Sequence, residues 1–136
     1  MNPTGQQVMA AADALIDAFG RHDRTACFAA FAPEAIFVLH HVAVPPGSRG
    51  AYERRWREWE RDDGFAVHAC ESRERAVQLA GGDTAIFTHA VRTTVRMQAG
   101  EVCLDERETI MCARRGERWL AIHEHLSPLP AATDDV

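Results

Sequence analysis

The 136-residue sequence lacks several features that would mark a specialised chain. There is no Cys-x-x-Cys pair; Cys27, Cys70, Cys103 and Cys112 are scattered, which favours reduced thiols over a disulfide or zinc framework. No apolar run is long enough to span a bilayer, and the first residues do not follow a secretory pattern, so a cytoplasmic protein is expected. There is no excess of basic residues either. The net charge of -5, the pI near 5.8 and the interleaving of Arg with Glu argue against nucleic acid and against a polybasic membrane surface. Small molecules or protein partners remain. No internal repeat is present.

What is there suffices for one core: 46% of the residues are hydrophobic. The expected organisation is a single domain over 1–127 with a disordered tail, "PLPAATDDV", over 128–136. In "TGQQVMAAADALIDAFG", Thr4 and Gln7 stand at capping-box spacing, and Val8, Ala12, Leu15, Ile16 and Phe19 share one helical face. Asp23 is placed to cap a short second helix, "RTACFAAFA", and Pro33 leads into a buried strand, "EAIFVLHH". After the loop "VAVPPGSRG", a helix from Ser48 carries Tyr52, Trp56 and Trp59 as an aromatic stripe on an otherwise charged surface. Such a stripe is core in most helices and a ligand wall in some. Four strands follow, near 65–79, 84–97, 102–114 and 118–126, with turns at "GGD", "QAGE" and "RRGE".

Five of the seven histidines, His40, His41, His89, His123 and His125, fall in strand-like segments. Side chains alternate along a strand, so Trp119, Ala121, His123, His125 and Ser127 are expected on one face of the last strand and Glu124 on the other. Tight turns fix register. Pairing Arg115 with Arg118 sets Ile110 opposite His123 and Glu108 opposite His125; pairing Met97 with Val102 sets His89 opposite Ile110. A shift of two in the residue sum would preserve this facing, whereas a bulge would break it. The expected cluster is His89, Glu108, His123 and His125, with Phe87, Ile110, Cys112 and Trp119 as its apolar surround. The opposite face, with Arg107, Thr109 and Met111, suits a subunit interface.

The order of elements, with "FAPEAIFVLHH", "GSRGAY" and "RETIMCARRGERWLAIHEHLS", resembles the nuclear transport factor 2-like superfamily, in particular its SnoaL-like group. It is also similar to the association domain of calmodulin-dependent protein kinase II. The likeness covers residues 4–127 and rests on the Phe-Ala-x-Glu-Ala run at 31–35 and on Trp-x-x-x-His-x-His-x-Ser at 119–127. It implies an α+β, cystatin-like cone in which a strongly curved mixed sheet wraps N-terminal helices around an internal pocket, with the outer sheet face available for a homodimer. It also implies a first strand parallel to the last, bringing His40 or His41 to the cluster. Ketosteroid isomerases of this fold place a carboxylate base where this chain has Leu39-His40-His41, and a tyrosine on the first helix, which here has none. The pocket arginine of the kinase association domain corresponds to Ile110, so its acid binding is not carried over.

Fold does not supply reaction, and three readings follow from the residues. The first is an isomerase, cyclase or dehydratase working without cofactor or metal on a small apolar carbonyl compound. His40 or His125 would be the base, Glu108 the orienting carboxylate, and His123 or His89 the donor to an oxyanion, with Trp56, Trp59, Phe87, His89, Ile110 and Trp119 lining the pocket. The second is a non-catalytic ligand-binding or dimeric scaffold domain. The third is a metal site built from His123 and His125 with Glu108 and His89.

Overall fold

The computed structural model describes residues 2–130. Helix α1 spans Pro3–Gly20, and its first turn is closed by Asn2, whose side chain accepts from Gly5 N–H at 2.8 Å, with Pro3 at the start where a missing N–H costs nothing. The cap therefore lies two residues ahead of the Thr4 expected from capping-box spacing. Val8, Ala12, Leu15 and Ala18 form the buried stripe. At the other end Gly20 lies so close to β2 that a Cβ would meet Cys70 Cβ at 3.2 Å. Helix α2, Arg24–Ala29, is capped by Asp23, whose carboxylate accepts from Ala26 N–H. Helix α3, Arg49–Asp63, is capped by Ser48 and stopped by Gly64 at φ 64°, a conformation that favours glycine.

Strand β1 runs Phe31–Leu39, β2 Ala66–Leu79, β3 Thr84–Met97, β4 Gly100–Arg115 and β5 Arg118–Pro128. They form one open five-stranded sheet in the order β1-β5-β4-β3-β2, with β1 parallel to β5 and the other pairs antiparallel. This is the α+β arrangement expected, with β5 inside the sheet and β1 at an edge, where Pro33 is tolerated. Strand β1 begins and ends earlier than "EAIFVLHH" suggests. His40 and His41 lie in a turn, where Val42 N–H donates to Leu39 C=O at 3.0 Å. Strand β5 extends to Pro128, and Leu129 N–H donates to Asp105 C=O at 3.1 Å, so the expected tail contributes a sheet residue; residues 131–136 of that tail lie outside the described residues.

The concave face is packed by aromatic groups from three elements. Phe28, Phe37, Tyr52 and Trp56 make edge and tilted contacts, with Phe37–Tyr52 at 4.6 Å and Phe28–Trp56 at 5.5 Å between ring centres. Each such ring removes a large apolar area from water and adds about 0.5–1.5 kcal/mol of specific pair energy. Two irregularities bend β2, after Val67 and after Arg73, and Glu74 takes φ 55° at the second.

Two hairpin registers decide the site. Between β3 and β4 the residue sum is two lower than expected, since Met97 pairs with Gly100; His89 therefore stands opposite Glu108 and the facing survives. Between β4 and β5 the turn pairs Arg115 with Arg118 as expected, but Cys112 pairs with Ala121 while Met111 pairs with His123. Ile122 is an extra residue, and beyond this bulge every β5 side chain changes face. Ile110 stands opposite Glu124 and Thr109 opposite His125.

Candidate active site

Inward positions on the three central strands now follow. From β3 come Phe87, His89, Val91 and Thr93; from β4 come Glu106, Glu108, Ile110 and Cys112; from β5 come Trp119 and Ala121 before the bulge and Glu124 and Leu126 after it. Glu106, Glu108 and Glu124 are 4%, 7% and 7% exposed, and an acidic residue is rarely this buried without a partner. All three line a partly enclosed cavity of about 50 Å³, walled by Leu15 and Phe19 of α1, Cys27 of α2, and Tyr52 and Trp56 of α3. That volume admits a few waters or one small functional group.

The carboxyls are held by a hydrogen-bonded chain. Ser72 Oγ lies 2.6 Å from His89 Nδ1, and His89 Nε2 lies 2.6 Å from Glu108 Oε1. Burial, followed by the charge of Arg75, pushes the His89 imidazole down to about 4, so the ring is neutral at pH 7. A neutral ring has one N–H. With the Ser72 hydroxyl donating to Nδ1, Nε2–H donates to Glu108. Burial pushes Glu124 well above the ordinary carboxyl range, and the neighbouring Glu108 charge and a hydrogen bond to Glu108 add to the shift. Glu108 is also raised by burial, against the hydrogen bond from Glu124 that favours its ionised form. Of the two, Glu124 is held more strongly toward its protonated form, in which it is an O–H donor in an apolar setting. At the far end His40 Nε2 lies 2.5 Å from Glu106 Oε2.

His40 also lines a second, more open pocket of about 570 Å³, formed by the turn after β1, by Trp59 on α3, and by Phe65, Val95, Met97 and Leu104. This is a ligand-sized volume with mainly apolar walls. His40 lines the large pocket while its partner Glu106 lines the small cavity, so a single hydrogen bond links the two spaces.

Several expected positions fall elsewhere. His123 is half-buried and His125 exposed on the side of the sheet away from the glutamates, because the Ile122 bulge inverts that half of β5. Glu124, expected outside, is inside for the same reason. The metal set of His123 and His125 with Glu108 and His89 is divided between two faces. Phe87, Ile110 and Trp119 are buried on the concave side as core and line neither cavity, whereas Trp56 lines the inner and Trp59 the outer. Glu106 was missed although it shares the face of Glu108 two residues on. A signal for the bulge existed too: no single alternation puts Trp119, Ala121 and Leu126 on one apolar face, but one extra residue does.

A family profile described as a SnoaL-like domain matches residues 8–132. The chain belongs to the SnoaL-like family. Among solved structures, a ketosteroid isomerase-like protein from Erwinia carotovora atroseptica superposes with a TM-score of 0.80 at 19% identity, over 96% of this chain and 100% of the other. A nuclear transport factor 2-like superfamily protein from Salmonella enterica gives 0.79 at 16% identity, over 96% and 93%. A protein with a cystatin-like fold from Caulobacter vibrioides gives 0.76 at 14% identity, over 93% and 91%. At these identities the likeness is one of fold. No curated protein matches the chain. This SnoaL-like chain therefore has the fold of the cystatin-like and nuclear transport factor 2-like structures it superposes on, and among its described residues no helix is long and apolar enough to cross a membrane.

Proposed function

We propose that this SnoaL-like domain is an acid–base enzyme of the isomerase, cyclase or dehydratase type, acting on a small apolar carbonyl compound without an organic cofactor. One observation carries the reading: a buried Glu124 sits beside Glu108 in an apolar-walled cavity that favours its protonated form, and the third carboxylate there, Glu106, is bonded to His40 at the large pocket. The ligand body occupies the outer pocket against Trp59 and Phe65, and its carbonyl points to the cavity. Glu124 O–H donates to the carbonyl oxygen as negative charge develops there, and Glu106 with His40 takes the proton from the adjacent carbon. A carboxyl kept neutral by its apolar site is a donor suited to this task. The base is thus a carboxylate–imidazole pair of Glu106 with His40, whereas the sequence suggested His40 or His125 with Glu108 as the orienting carboxylate.

The test is a screen of small cyclic ketones and enones, by thermal shift for binding and ultraviolet absorbance for double-bond migration or dehydration. Glu124→Gln is expected to lower kcat by about 100-fold or more while binding persists. A compound turned over equally well by E124Q would remove Glu124 from the chemistry. Compounds that bind but are never converted would favour the ligand-binding scaffold, a reading supported by the small size of the inner cavity.

For the partner, a second copy of the chain on the outer sheet face is proposed. Ile36 there is 44% exposed, and the half-buried Met111 and His123 pair beside it as a mixed patch. Light scattering should show a dimer at micromolar concentration; a clean monomer would argue against it.

A further inference from the structure

One cluster of ligating side chains lies outside the hydrogen-bonded chain of Ser72, His89 and Glu108. Because β1 stops at Leu39 and turns at once, His40 and His41 project from adjacent turn positions with their rings 5.2 Å apart, edge to face. Glu106 of β4 approaches from the sheet. One donor atom from each of His40, His41 and Glu106 lies within 4.8 Å of the other two. We propose that these three residues form a binding site for a divalent cation of the zinc class, with a remaining coordination position open to the 570 Å³ pocket that both histidines line.

The donor set is two imidazoles and a carboxylate, which suits a borderline ion and leaves a position free for water or substrate. With metal–ligand bonds near 2.1 Å, tetrahedral donors stand roughly 3.4 Å apart. The His40–Glu106 pair at 2.5 Å must open by under an ångström, and His41, exposed on the turn, has the freedom to close the rest. The cation takes the place of the hydrogen between His40 Nε2 and Glu106 Oε2, and the ring keeps its one N–H on Nδ1. Arg55 and Asp63 also line this pocket, so their formal charges offset each other. Cation holding and proton transfer compete for His40 and Glu106, so a loaded site withdraws them from acid–base work.

The inference does not rest on the acid–base reading, since its test uses no substrate. Protein purified without a polyhistidine tag or metal-affinity step, stripped with chelator, is titrated with Zn²⁺ by calorimetry and with Co²⁺ by visible absorption. One saturable equivalent is expected. Glu106→Gln and His41→Ala are each expected to weaken it by about tenfold or more, judged against the 10–100-fold losses typical of even supporting residues. Circular dichroism checks both folds, and H41A, at an exposed turn, keeps the test decisive if E106Q is disturbed. The paired variant His123→Ala/His125→Ala, on the other sheet face, should bind as the parent does. Absence of saturable binding, binding indifferent to H41A, or binding lost only in the His123/His125 variant would each overturn the site.

Discussion

His89 Nε2 lies 2.6 Å from Glu108 Oε1, and the two side chains are 0% and 9% exposed. Each depends on the other, because a buried polar group without a partner costs far more than an ordinary hydrogen bond contributes. His89→Ala is therefore expected to lower unfolding free energy by about 3 kcal/mol, from the orphaned carboxyl and the cavity left behind. Urea denaturation measures it; a loss below about 0.5 kcal/mol would mean that solvent or Ser72 replaces the imidazole. The ring itself should stay neutral down to pH about 4 by NMR. Since its folded value is depressed, its contribution is complete above the ordinary histidine range and is lost as pH falls through about 4.

Glu108 and Glu124 have the opposite sign. Both are raised in the folded chain, so the folded state holds more protons than the unfolded one, and stability falls as pH rises from the ordinary carboxyl range through their folded values. Glu124→Gln keeps the shape of the protonated acid and removes the ionisation. The variant should match the parent near pH 4 and exceed it at pH 8 by about 1 kcal/mol or more, as replacing a buried charge commonly does. Equal pH profiles for the two proteins would show that Glu124 does not titrate as a buried acid.

Glu60 ties α3 to the α1–α2 turn. It accepts from Trp56 Nε1 at 3.0 Å, lies 2.8 Å from His22 Nε2 and pairs with Arg24, while His22 Nδ1 accepts from Val67 N–H. Partial burial opposes its charge, but the bonds from His22 and Trp56 and the Arg24 charge outweigh it and hold the carboxyl below its usual range. Its contribution is thus present above the ordinary carboxyl range and lost as pH falls through the lowered value. Glu60→Ala should cost about 2 kcal/mol at pH 7 and less at pH 3, measured by urea midpoints; a constant difference would deny the role of its charge.

Gly20 is needed for space. A Cβ there would meet Cys70 Cβ at 3.2 Å, where α1 crosses β2. Gly20→Val should destabilise by about 1–3 kcal/mol through overpacking, despite better helix propensity than glycine. A melting temperature equal to the parent's would mean that the helix end moves away freely.

Much of the fold is legible in residue patterns because it depends on local periods. Val8, Ala12 and Leu15 repeat at helical spacing, Asp23 and Ser48 stand where orphan N–H groups need acceptors, and Phe87, His89 and Val91 alternate as a half-buried strand must. The pairing of His89 with Glu108 is nearly legible too, since an error of two in a hairpin register leaves every side chain on its own face. The sequence by itself thus determined the elements, the concave side of β3 and β4, and the likeness that led to the family. Only the tertiary structure decided which half of "IHEH" looks inward. Strand β5 is paired on both sides, antiparallel to β4 and parallel to β1, and the extra residue Ile122 reverses the alternation midway. One residue is half a strand period, enough to exchange two histidines for Glu124 in the cavity.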